Sequence, residues 1–204
     1  MKVAILYSGL PNMTLEIFHN HKKYLIDHYD CDIYCSTWHM DGVEQTMDML
    51  NPIELEIEKF NDIQNIFNEL LIYAENKRKE VRPINVFSMY YKLARTSKFI
   101  ENKQYDIVVR HRFDTTYKSK IILSEDKDKI KIPKGEDHGG INDRWAYGPQ
   151  NLISAYNFLF KYIPIYTKVD GIVFHPETLL KHHCKKQNID ILRTEDSILL
   201  RGKS

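Results

Sequence analysis

Residues 105–117 read YDIVVRHRFDTTY, and the order of chemistry within them decides the fold class. Ile107, Val108 and Val109 form a short β-branched run, and Arg110, His111, Arg112 and Asp114 follow at once. An amphipathic helical segment precedes the run, so it reads as a central strand of an α/β domain whose exit carries charged residues. Ligands of open α/β sheets sit outside the carboxyl ends of the strands, where loops carry the polar chemistry. Arg110 and Arg112 offer guanidinium forks to a phosphate and Asp114 offers hard oxygens to a divalent cation, so this exit suits an anion held together with a metal. The same residues also suit a plain structural ion pair of Asp114 with Arg110 or Arg112.

Upstream, residues 2–7 form a first strand, broken by Ser8-Gly9 and then Pro11, with Thr14 as a helix cap. Such a turn directs backbone N–H groups to the sheet edge, where a diphosphate can sit. Neither GxGxxG nor GxxxxGK[ST] is present, so the dinucleotide and Walker fingerprints are both missing. Ile17, Phe18, Tyr24, Leu25 and His28 recur at helical spacing, and His21 and His28 read as helix-surface or half-buried residues rather than ligands. Residues 32–36 give a second strand that runs out at Trp38, which either stacks on a base or closes the core. Ile53, Leu55 and Ile57 alternate with Glu54, Glu56 and Glu58, the pattern of a strand near an edge with one apolar and one acidic face. Helices are expected over 63–71 and 85–101, the second introduced by Pro83.

Downstream, residues 130–132 suggest a short strand, and 134–143 (KGEDHGGIND) form a loop by composition. Gly139 and Gly140 allow a close backbone approach to a ligand. Asp143 comes just before Trp145-Ala146-Tyr147-Gly148, where a carboxylate can face a cleft and Trp145 can offer an apolar platform to a sugar. Pro149 and Pro176 fit first helical positions. Residues 189–192 are the final strand candidate, and the tail from Arg201 is expected to fray.

With 204 residues, 43% hydrophobic and 12% aromatic, the chain is not disordered and suits one substantial core, so a single domain over 1–204 is expected. Its 29 Lys and Arg against 28 Asp and Glu argue against a dedicated nucleic-acid binder. Acidic side chains concentrate in the first 75 residues and basic ones in the remainder, which is compatible with an anionic ligand or a membrane surface near the later segments. Cys31, Cys35 and Cys184 form no CxxC pair, which points to a reduced intracellular compartment. The opening apolar run is too short for a signal peptide and no stretch approaches a membrane span. A cytoplasmic protein is expected, with peripheral membrane contact left open.

The pieces occur in a telling order: a strand and Ser-Gly-Leu-Pro turn at 8–11, Ser-Thr-Trp at 36–38, RHRFD at 110–114, GGINDRWAYG at 139–148 and FHPE at 174–177. In that order the chain resembles a GT-A-type glycosyltransferase of the small, bacterial or viral, surface-polysaccharide kind, from residue 2 to about 192. The resemblance implies a three-layer α/β/α fold with a mostly parallel sheet. It further implies a nucleotide-diphosphate sugar donor, a glycan or lipid-linked acceptor, and Mn²⁺ or Mg²⁺ bridging the diphosphate. Ser8, Gly9, Trp38, Arg110, Arg112, Gly139 and Gly140 become the donor-binding candidates. The family's DxD motif is represented by Asp114 alone, since the sequence after the central strand reads Arg112-Phe113-Asp114-Thr115-Thr116 and holds one carboxylate. His175 is the late histidine that would complete a metal site, and Asp143 is the candidate base for an acceptor proton. Two rivals remain at this level: another metal-assisted phosphate-transfer enzyme, and a non-catalytic nucleotide- or glycan-binding domain.

Overall fold

The first strand is apolar on both sides because both sides are covered. In β1 (Lys2–Gly9), Val3, Ile5 and Tyr7 face one helical layer and Ala4 and Leu6 the other, all fully buried. A run of this kind belongs to a parallel sheet sandwiched between helices. The computed structural model describes residues 1–195 and the strand Ile198–Leu200; the expected fraying from Arg201 lies outside the described residues.

Helix α1 (Leu15–Tyr24) starts where Thr14 accepts from the Ile17 N–H at 3.4 Å, the cap that its sequence position suggested. After it come β2 (Asp30–Trp38), α2 (Val43–Leu50), β3 (Glu54–Glu58), α3 (Phe60–Leu70), α4 (Pro83–Lys98) and β4 (Ile107–His111). The later half supplies β5 (Thr115–Tyr117), β6 (Lys129–Pro133), β7 (Ala146–Gly148), α5 (Gln150–Asn157), α6 (Ile163–Lys168), α7 (Pro176–Lys186), β8 (Asp190–Thr194) and β9 (Ile198–Leu200). Pro176 occupies the first turn of α7 as expected, whereas Pro149 is one place earlier than expected, at the N-cap of α5.

Seven strands make the main sheet in the order β3-β2-β1-β4-β7-β6-β8. Neighbours from β3 to β4 run parallel, as do β6 and β8, while β7 runs antiparallel between β4 and β6. The fold is therefore the expected three-layer α/β/α arrangement with a mostly parallel sheet. One core packs α4, α5 and α7 on one face through Phe87, Tyr90, Leu93, Tyr156 and Leu179. The other packs α1, α2 and the segment around Phe113 and Ile121 on the opposite face. Among the described residues no helix is long and apolar enough to cross a membrane.

Candidate active site

Strand order puts a crevice at one place. The chain leaves β1 toward β2 and β3, then returns on the far side of β1 as β4, so the connections diverge at the carboxyl ends of β1 and β4. Doubly wound sheets bind ligands at such a switch point. Here it opens a cleft of about 530 Å³. Ser8, Gly9 and Leu10 from the exit of β1 line it together with Arg112, Phe113 and Asp114 from the exit of β4. Trp38 and His39 close one end, and Asn85, Ser88 and Met89 of α4 form a wall. Gly9 has φ of 106°, a backbone state that side-chain-bearing residues avoid, so the turn itself calls for glycine.

Arg112 and Asp114 meet as a two-pronged pair. Nε donates to Oδ1 at 2.9 Å and Nη2 to Oδ2 at 2.8 Å, with the two side chains 30% and 27% exposed at the cleft. Burial works against the Arg112 charge, but the Asp114 carboxylate more than restores it and raises the guanidinium pKa. The pair is formally neutral, and it leaves Nη1 and the second hydrogen of Nη2 as the donors the oriented guanidinium can still offer at the strand exit.

Several expected donor contacts are not at this cleft. Arg110 alternates to the α4 face and is fully buried, and its Nε and Nη1 have no hydrogen-bond partner among the described residues. Burial lowers its pKa, while Tyr156 and Asp143 support its charge. Arg110 lies under the site rather than in it. Trp38 lines the cleft but is only 3% exposed, packed among Phe60, Phe67, Tyr91 and the Lys92 ammonium. No open face is left on which a base would stack, and its Nε1–H is itself buried, without a hydrogen-bond partner among the described residues. Trp145 is fully buried in the core on the α1 face, giving its N–H to Tyr117 Oη at 3.1 Å, so it is no sugar platform. The glycine pair approaches the chain itself instead of a ligand. A Cβ on Gly140 would come within 1.9 Å of the Glu177 carbonyl oxygen, and one on Gly139 within 3.0 Å of the Arg78 guanidinium.

Asp143 is 7% exposed and lines neither this cleft nor the next. Its charge acts on Arg110, Arg112 and Glu177, and Arg144 turns away to Glu136 at 2.9 Å.

His175 belongs to a second cleft of about 390 Å³, with Arg78, Arg82, His138 and Glu177. Asp114 and His175 thus sit in different clefts and do not assemble as one ligand set. Among the described residues no three His, Cys, Asp or Glu side chains converge on a metal position. Asp114 alone fits a divalent cation, and only with most ligands coming from a bound phosphate and water.

Three groups escaped the sequence reading. Asn85 lines both clefts; the Pro-Ile-Asn opening of α4 marked a helix start but gave no hint of which way the third residue faces. Glu177 was legible only as part of a helix start. His21 and His111 are fully buried, contrary to the half-exposed expectation for His21. His21 Nε2 donates to the Thr115 carbonyl at 2.6 Å and its Nδ1 accepts from Tyr7 Oη at 3.0 Å, while His111 bonds Tyr117 Oη. These bonds tie the segment after Asp114 to β1 and α1, which fixes the strand exit from beneath.

No protein-family model matches the sequence, and no curated protein matches it. Solved structures do align with it, among them mouse xyloside xylosyltransferase 1 in its apo form, with a TM-score of 0.49, 7% identity, and 95% of this chain and 85% of that chain covered. At that score the likeness assigns neither substrate nor reaction, and the clefts must speak for themselves.

Proposed function

We propose that this chain is a glycosyltransferase that moves a sugar from a nucleotide-diphosphate sugar to a hydroxyl of a glycan or lipid-linked acceptor. The observation that carries the reading is the first cleft, where the Arg112–Asp114 fork lies across the carboxyl ends of β4 and β1 from the Ser8-Gly9 turn, next to a second cleft that shares Asn85. In the transfer, the acceptor oxygen bonds the anomeric carbon as the bond from that carbon to the diphosphate breaks. The nucleoside diphosphate leaves with the electron pair, and the acceptor proton passes to a carboxylate or to the departing phosphate. Catalysis needs charge compensation on that leaving group and alignment of the hydroxyl. Arg112 supplies the first and the Asn85 junction the second. A Mn²⁺ or Mg²⁺ ion would be held by Asp114 together with the diphosphate, and would neutralise the leaving group further.

Arg110 and Asp143 act below the cleft. Asp143 is the carboxylate that compensates the buried guanidinium, which suits a counter-charge better than an acceptor-side base. Surface-polysaccharide synthesis in the cytoplasm, with contact to a membrane where the acceptor is lipid-linked, rests on the sequence resemblance alone. Calorimetry with UDP-, GDP- and CDP-linked sugars, with and without Mn²⁺, tests the donor reading: one nucleotide class should bind and Asp114→Asn should weaken it. Binding of none of them would overturn it.

A further inference from the structure

Two arginines stand apart from the others. Among the described residues Arg95, Arg112, Arg144 and Arg193 each pair with a carboxylate, and Arg110 is buried with Asp143 supporting its charge. Arg78 and Arg82 have no carboxylate partner among the described residues, and both line the second cleft. Arg78 is held ready as a fork. Its Nη1 donates to the His138 carbonyl at 2.8 Å, and the missing side chain at Gly139, where a Cβ would come within 3.0 Å of Nη2, leaves room for the guanidinium against this loop. The anchor takes one of its five hydrogens and leaves the charge uncompensated. Arg82 is exposed at the N-cap of α4, a helix of 16 residues that opens on Pro83 with no side-chain cap and no acidic residue in its first turn. Arg82, Asn85 and Val86 bring that helix end to the cleft, so its positive pole adds to the two guanidinium charges.

The carboxylates of the cleft do not cancel this field. Glu177 turns inward, its Oε2 buried beside His175 Nδ1, and burial together with the Asp143 charge pushes its pKa up to about 7. Glu80 is 66% exposed and reaches His175 Nε2 only at 4.0 Å, and Arg78 weighs on that imidazole more than Glu80 does. At neutral pH two guanidinium groups therefore face one solvated carboxylate and a buried one that is partly protonated. Their open N–H groups call for an oxyanion, which only accepts. A cleft of about 390 Å³ with Val81, Val86 and Pro176 on its walls has room for a sugar residue around such a group.

We propose that the second cleft takes the anionic group of an acidic acceptor, a carboxylate or a phosphate on the sugar that carries the reacting hydroxyl, with Arg78 as its fork and Arg82 as its second cation. This assignment rests on the glycosyltransferase reading of the first cleft, which Asn85 joins to the second, but it has its own test. Saturation-transfer NMR and calorimetry on the full chain, with and without a nucleoside diphosphate in the first cleft, would compare methyl hexosides with the matching methyl uronides and methyl hexoside 6-phosphates. One anionic series should bind at least about tenfold more tightly than the neutral one, and which of the two does so tells carboxylate from phosphate. Arg78→Gln should weaken that binding about tenfold or more, while Arg78→Lys, which keeps the charge without the fork, should recover only part of it. Nucleoside diphosphate affinity should stay unchanged in both variants. Neutral hexosides that bind as well as the anionic ones, no binding of either anionic series, or anion affinity indifferent to Arg78→Gln in a variant with an unchanged melting curve would each overturn the proposal. Nucleoside diphosphate binding without any preference for an anionic sugar sinks this site and leaves the donor reading standing. Anionic-sugar binding that depends on Arg78 in a chain that binds no nucleotide does the reverse.

Discussion

Asp114 and Asp143 were both legible as chemistry-bearing carboxylates, and three-dimensional structure separates their work. Asp114 sits on the cleft with its oxygens on Arg112, so Asp114→Asn removes charge from a partly exposed rim and should lower the melting temperature only modestly. Donor affinity should fall by about 1.5–3 kcal/mol, the worth of a charge-assisted contact; normal affinity with and without Mn²⁺ would remove Asp114 from the site. Asp143 is buried beside a guanidinium that has no bonded partner at Nε and Nη1. Asp143→Asn leaves that cation less compensated, so unfolding should become easier by about 1–3 kcal/mol, with donor affinity nearly retained. A drop in single-turnover rate of about 10²-fold at unchanged stability would instead restore Asp143 as the proton acceptor. The sequence could name both carboxylates but could not rank them, because which face of β4 and which loop turn meets the cleft depends on packing partners far along the chain.

At the scale of an element, β3 shows the limit of periodicity. Its alternation announced a strand, and β3 is indeed the edge of the sheet. The buried side is the acidic one: Glu54 pairs with Lys103, Glu56 with Arg95, and Glu58 with Lys92, while Ile53, Leu55 and Ile57 stay 57%, 42% and 37% exposed. A period of two reads identically for either orientation, and the choice is made by the basic residues that α4 and the segment after it present, Lys92 and Arg95 on the helix and Lys103 beyond its end. Lys92 is the central one, with a fully buried side chain under the Trp38 ring at 4.3 Å, and burial lowers its pKa against the pull of Glu58 and Glu56. Removing one partner of a buried pair is far worse than replacing the charge by an apolar chain. Glu58→Gln should therefore cost about 3 kcal/mol in denaturant unfolding, and adding Lys92→Met should return most of it. A Glu58→Gln variant as stable as the parent would mean that the buried ammonium finds its compensation elsewhere. Elements that turn-and-cap chemistry announces, such as α1 at Thr14 and α7 at Pro176, needed no such partner to be read.

Across the whole molecule, neutral buried histidines fasten elements in both helical layers, α1 to the strands on one face and α7 to its neighbouring helices α5 and α6 on the other. On one face His21 joins α1 to Tyr7 and Thr115; on the other His183 joins α7 to Tyr166 Oη at 2.9 Å and to the Ala155 carbonyl at 2.8 Å. In each ring Nε2 meets a carbonyl and must donate, so Nδ1 must be the acceptor for a tyrosine hydroxyl. A second proton on Nδ1 would break that bond. Burial accordingly pushes both rings down to about 4, against about 6.5 in an unfolded chain. Between these values the unfolded chain takes up protons that the folded one refuses, so stability is full above about pH 6.5 and is lost as pH falls toward 4. Each ring withdraws roughly 3 kcal/mol by pH 4. Denaturant melts at pH 7, 6 and 5 should show stability falling in step, and His183→Gln, which keeps a donor and an acceptor but cannot charge, should remove that ring's share of the slope while the buried His21 and His111, both held below the ordinary imidazole value, keep theirs. A midpoint that does not move between pH 7 and 5 would show that these rings already accept a second proton in the folded state, and that the two layers are not locked by neutral imidazoles.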